Sequence, residues 1–107
     1  MTGDDAFRPP RFDVTVEEGP EHTTVAISGE LDLVSEPQLT DALTRAAGRP
    51  VRVDLRELAF MDSTGLRALL SAARDHPSLT LSGPLQPPVR RLLELTQTLT
   101  ILPFESA

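Results

Sequence analysis

Phe12, Val14 and Val16 alternate with Asp13, Thr15 and Glu17, and a period of two predicts a strand with one covered face. Glu18-Gly19-Pro20-Glu21 reads as a turn, and His22 to Ser28, containing Val25, Ala26 and Ile27, reads as a second strand. The two runs are expected to form an antiparallel hairpin. At Ser35-Glu36-Pro37-Gln38 the period changes: an N-cap serine, a proline in the first turn and a glutamine three residues after the cap predict a helix start closed by a capping box. Leu39, Ala42, Leu43, Ala46 and Ala47 then recur at helical spacing, and Gly48 with Pro50 marks the stop.

Val51, Val53 and Leu55 predict a third strand, made parallel to the second by the intervening helix. A short apolar step, Ala59-Phe60-Met61, leads into Asp62-Ser63-Thr64-Gly65, after which Leu66, Leu69, Leu70 and Ala73 return to helical spacing. The four polar or small residues therefore read as a strand-to-helix turn. His76-Pro77 ends that helix, Leu79-Thr80-Leu81 reads as a fourth strand, and Ser82-Gly83-Pro84 as a turn. A third helix is expected from Pro87-Pro88, burying Val89, Leu92 and Leu93, with a last strand at Thr100-Ile101-Leu102. The pattern is that of an α/β fold: a single domain over residues 11–107, a mixed β-sheet with an N-terminal hairpin and βαβ units, and helices packed on the sheet. Residues 1–10, polar and ending in Pro9-Pro10, read as a flexible arm.

With 107 residues the chain has room for one core and not two. Sixteen acidic against ten basic residues give a net charge of -6, which disfavours nucleic acid and anionic membrane surfaces as partners. All ten cations are arginine, and there is no cysteine, so disulfides and thiolate metal sites are excluded. The acidic start Met1-Thr2-Gly3-Asp4-Asp5 does not fit a secretory signal, and no apolar run is long enough to cross a membrane, so a cytoplasmic location is expected.

Little in the chain suits catalysis. His22 and His76 share no metal-ligand spacing, no phosphate-binding glycine loop is present, and Ser63 lacks the flanking glycines of a hydrolase nucleophile. No metal, cofactor or enzymatic activity is expected. What remains is Asp62-Ser63-Thr64-Gly65, where hydroxyls stand at a helix entry beside unpaired backbone N–H groups. Ordinary N-capping alone accounts for such residues.

The longer pattern carries more. Gly29-Glu30-Leu31-Asp32 after a strand, Asp54-Leu55 in a later one, and Phe60-Met61-Asp62-Ser63-Thr64-Gly65-Leu66 at the following turn resemble the signature of STAS-domain anti-sigma factor antagonists, with similarity from about residue 12 to residue 104. The resemblance implies a protein that binds a cognate anti-sigma factor, itself an ATP-dependent serine/threonine kinase, and thereby releases a sigma factor. It also implies inactivation by phosphorylation at the hydroxyl residue before the motif's glycine, and reversal by a metal-dependent phosphatase of the PP2C type. Carried over by position, the acceptor is Thr64, with Ser63 as the alternative. Asp32, Asp62, Ser63, Thr64, Gly65, Leu66 and Arg67 are then the expected partner-binding residues.

Three departures stand out: Thr64 where serine is usual, Arg67 where glycine is frequent, and no full C-terminal helix after the last expected strand. A phosphate adds about -1.5 to -2 charge, which a helix N-terminus accommodates but a docked partner has to bury. The alternative implied by the same fold is a STAS subunit of a membrane lipid transport assembly, docking constitutively on its ATPase.

Overall fold

The computed structural model describes residues 11–105, so the expected arm at residues 1–10 lies outside the described residues. The elements run β1 (Phe12–Glu18), β2 (Thr23–Leu31), α1 (Glu36–Arg45), β3 (Val51–Met61), α2 (Ser63–Asp75), β4 (Leu79–Ser82) and α3 (Pro87–Leu95). They build one four-stranded sheet in the order β1-β2-β3-β4. The β1–β2 pair is antiparallel and the β2–β3 and β3–β4 pairs are parallel, because α1 and α2 each carry the chain back across the sheet.

One core serves all elements. Val25, Ile27 and Leu31 of β2, Val51, Val53 and Leu55 of β3, and Leu79 and Leu81 of β4 are buried together with Leu39 and Leu43 of α1 and Leu66 and Leu69 of α2. Leu69 is fully buried, and truncating such a leucine to alanine typically costs about 2–5 kcal/mol. That anchorage holds the start of α2 in place. Helix α3 buries Val89 and Leu93 and packs against β3, where β4, which pairs only with Val51–Asp54, no longer covers its edge.

Several local expectations are corrected. β2 continues through Gly29-Glu30-Leu31 instead of stopping at Ser28. Gly29 makes this possible: its φ is +89°, and a β-carbon there would strike the Arg11 carbonyl across the hairpin. β3 does not end at Leu55 but runs on to Met61 as one strand of eleven residues. Its register against β2 slips between Ala26 and Ser28 and again between Gly29 and Glu30, and each slip gives β3 one extra residue. Buried residues consequently fall at Leu55, Leu58 and Met61, three apart.

Ser35 sits at the N-cap of α1, but its side chain makes no cap bond and the expected box with Gln38 does not form. Its hydroxyl turns back to donate to the Glu30 carbonyl at 2.8 Å instead. Ala47 is exposed and Leu92 only half-buried. Thr100-Ile101-Leu102 is not a strand: the chain turns there, and a single parallel bridge joins Phe104 to Leu81.

Candidate functional site

Leu31 and Met61 are partners in the parallel register, so the loops leaving β2 and β3 emerge side by side at one end of the sheet. The carboxyl ends of parallel strands are where such sheets present their variable, functional loops. A backbone bond from Asp62 N to Leu31 O at 3.3 Å ties the two exits together.

The turn after β3 is built by Asp62. It is extended (φ -106°, ψ -171°), and its Oδ1 accepts the Gly65 N–H at 3.0 Å while its carbonyl accepts the Leu66 N–H at 2.9 Å. Asp62 is thus the N-cap of α2, and Ser63 and Thr64 are its first two residues, whose N–H groups lie ahead of the first intrahelical acceptor. The helix dipole adds positive potential at this point. Ser63 is exposed, whereas Thr64 is half-buried. The two hydroxyl residues also face different surroundings: Ser63 lines a groove toward α3, and Thr64 lines a hollow between α1 and α2 beside Glu36 and Arg67.

Asp32 is spent on its own loop. Its Oδ1 accepts the Val34 and Ser35 N–H groups at 3.0 and 3.1 Å, and its amide donates to the Ser35 hydroxyl at 2.9 Å. Arg11 lies 3.5 Å from its other oxygen and 2.7 Å from Glu30. The Ser35 N–H bond, with further bonds from the Ser35 hydroxyl and Val34 and the nearby Arg11, outweighs partial desolvation and lowers the Asp32 carboxyl below the ordinary carboxylate range. The tight loop raises Leu33 and Val34 into solvent, 72% and 77% exposed, at the same end as Ser63.

Of the sequence-derived partner residues, Asp32, Asp62, Ser63 and Thr64 are brought together at this end, Ser63 exposed and the other three half-buried, and Arg67 is exposed at the rim of the hollow between α1 and α2. Gly65 and Leu66 are buried and shape the turn from beneath. Asp54 sits well away, in a fork of bonds to Arg56 on the open face of the sheet. There burial raises the Asp54 carboxyl, and the Arg56 bonds override it and lower it.

Sequence reasoning missed the groove beside Ser63. Its volume is about 620 Å³, and Phe60, Pro88, Arg91, Leu92 and Leu95 line it with the turn itself. Pro88, Arg91, Leu92 and Leu95 follow at i, i+3, i+4 and i+7, a second stripe on α3 distinct from its buried Val89 and Leu93. That second stripe was the available signal. No group of three or more potential metal ligands occurs among the described residues, and no described helix is long and apolar enough to cross a membrane.

Residues 14–103 match the family model described as Mlab, STAS domain. The anti-sigma-B factor antagonists of Listeria monocytogenes and Listeria innocua are each 32% identical to the chain over 87 residues, covering 75% of this chain and 75% of theirs. Among solved structures, an anti-sigma factor antagonist from Mycobacterium paratuberculosis superposes with a TM-score of 0.77 at 25% identity, covering 90% of this chain and 86% of that one. The anti-sigma factor antagonist SpoIIAA in its unphosphorylated form shares the fold, with a TM-score of 0.61 at 22% identity over 79% of this chain and 81% of that one.

Proposed function

Since the chain belongs to the STAS domain family and the relatives at hand are anti-sigma factor antagonists, we propose that it is one too: a cytoplasmic binding module, not an enzyme, that captures an anti-sigma factor and so releases a sigma factor. The observation that carries this reading is an exposed hydroxyl at a capped helix N-terminus, flanked by exposed apolar side chains, Leu33 and Val34 in the loop after β2 and Phe60 at the end of β3. The partner is an anti-sigma factor of the kinase type, and phosphorylation at the Ser63-Thr64 turn ends the interaction.

In that step the hydroxyl oxygen attacks the γ-phosphorus of ATP, the bond to ADP breaks and the hydroxyl proton leaves to a base on the kinase. A phosphatase of the PP2C type returns the hydroxyl by hydrolysis. The resemblance to the family points to Thr64 as acceptor, whereas exposure supports Ser63 as the first one. Ser63 is exposed, whereas Thr64 is half-buried in a hollow shared with Glu36 and Arg67, where a kinase has less access to its hydroxyl. Once made, the phosphate sits comfortably on the helix N-terminus, but a docked partner has to desolvate it; an unpaired charge left in a contact costs about 3–5 kcal/mol, roughly two to three and a half decades of affinity.

The test is direct. The parent chain, Ser63→Ala and Thr64→Ala are incubated with ATP and each purified kinase-type anti-sigma factor of the same genome, and incorporation is followed by intact mass. Loss of phosphate in Ser63→Ala alone supports Ser63; loss in Thr64→Ala alone returns the acceptor to Thr64. No binding and no incorporation with any of them, together with co-purification of a transporter ATPase, establishes the constitutive docking alternative instead.

A further inference from the structure

The described residues include nine arginines, and seven are committed within the fold. Arg11, Arg45, Arg52, Arg56, Arg74 and Arg90 form ion pairs, and Arg49 donates to the Gly19 carbonyl. Arg67 and Arg91 alone among them have neither an ion pair nor a hydrogen-bond acceptor within the described residues, and both are exposed. Their placement is not scattered. Arg67 lines the hollow that holds Thr64, and Arg91 lines the groove that holds Ser63, so the two uncommitted cations stand on opposite sides of the hydroxyl turn. The contrast on α3 is sharp, since the adjacent Arg90 is closed on Glu94 at 3.0 Å.

From this arrangement, and resting on the functional reading above, we infer that Arg67 and Arg91 form a two-point cationic clamp for an acidic, apolar docking surface of the anti-sigma factor. Charge complementarity names the occupant. Guanidinium groups without internal partners, in a chain of net charge -6, offer forked donors matched to carboxylates. Beside Arg91 the groove exposes Phe60 by 47% and Leu95 by 76%, and aromatic and apolar side chains next to arginine are the composition of interface cores. A partner segment that places apolar side chains against Phe60 and Leu95 and carboxylates on the two arginines satisfies both features.

The clamp also gives the switch its sign. A phosphate on Ser63 enters the groove that Arg91 lines, where it competes for the guanidinium and repels the carboxylate that held it. Phosphorylation then removes an attraction as well as adding a desolvation cost.

The experiment measures affinity for the purified kinase-type anti-sigma factor by calorimetry, using the full chain and the variants Arg67→Glu, Arg91→Glu, Arg91→Gln, their Arg67→Glu/Arg91→Glu combination, Arg90→Glu and Ser63→Glu. All arginines changed are exposed, and thermal unfolding checks that each variant is folded. The clamp requires Arg67→Glu and Arg91→Glu each to weaken binding about tenfold, the combination about a hundredfold, and Arg90→Glu less than about twofold. Arg91→Gln is expected to weaken binding less than Arg91→Glu, and raising salt is expected to weaken the parent complex more than that of the double variant. Loss confined to one arginine overturns the two-point arrangement. If all arginine variants bind like the parent while Ser63→Glu abolishes binding, the clamp is wrong and the antagonist reading stands. If the parent binds no anti-sigma factor, both fall.

Discussion

Gly65 approaches the carbonyl oxygen of Leu31 so closely that a β-carbon would overlap it, and the same oxygen accepts the Asp62 N–H at 3.3 Å. The first turn of α2 is therefore stacked on the end of β2 with no gap, and the hydroxyl pair rides on that contact. A β-carbon at residue 65 would also lie 2.7 Å from Met61 Cγ. Glycine is needed here for close approach, since its φ is not in the left-handed region.

Gly65→Ala is accordingly expected to destabilise the domain by about 1–3 kcal/mol through steric overlap, against the gain of about 1 kcal/mol that alanine brings at an unobstructed helix site. Urea unfolding with an unchanged slope checks it. A variant as stable as the parent would mean that α2 slides freely over β2.

Ser63→Glu places a negative charge at the first position of α2. Near a helix N-terminus that charge stabilises by about 0.3–1 kcal/mol at low salt. Stability is expected to rise slightly while affinity for the anti-sigma factor falls, and these opposite signs separate a blocked interface from a damaged fold. Thermal unfolding and calorimetry on one preparation decide the matter.

Asp32 makes acid sensitivity testable. Its carboxyl is lowered in the folded state, so the stability it contributes is fully present above its unfolded pKa of about 3.9 and is lost as pH falls through the lower folded value. Asp32→Asn keeps an oxygen for the Val34 and Ser35 amides but does not titrate. Between about pH 5 and pH 2, spanning that unfolded value, the melting temperature of the parent is expected to fall more steeply than that of Asp32→Asn. Parallel curves would show that the charge contributes nothing to the loop.

Leu95 is 76% exposed at the end of α3, so Leu95→Ser is expected to change stability by no more than about 0.5 kcal/mol. Binding of the anti-sigma factor is expected to weaken several-fold if the groove is occupied in the complex. Equal affinity would leave the groove outside the interface.

Most of the scaffold was legible because its elements keep a single period. α1, α2 and β4 follow the helical or alternating spacing of their apolar residues, and Asp62-Ser63-Thr64-Gly65 was legible as the entry to α2, although the cap is the Asp62 carboxylate and not a hydroxyl. β3 was legible only to Leu55. Beyond it each register slip inserts an outward residue, so Leu58 and Met61 come at intervals of three and the alternation dissolves, although the strand does not. Ser35 illustrates a different limit. Its sequence context fits a capping box, but Glu30 and Asp32 offer its hydroxyl closer partners from the preceding strand end, a competition that spacing does not reveal. The expected strand at Thr100–Leu102 had the right composition and no free edge long enough to pair with, since β4 has only four residues. At the functional end, the turn was readable as a motif, whereas the groove needs α3 set against β3, a relation between elements far apart in sequence.

Arg67 and Arg91 support no strand, cap or core layer, so exchanging them leaves the architecture untouched. On the proposed clamp, charge swaps at these two surface positions, each matched by a reversal on the partner, would re-pair an antagonist with a new anti-sigma factor while the scaffold beneath stays the same.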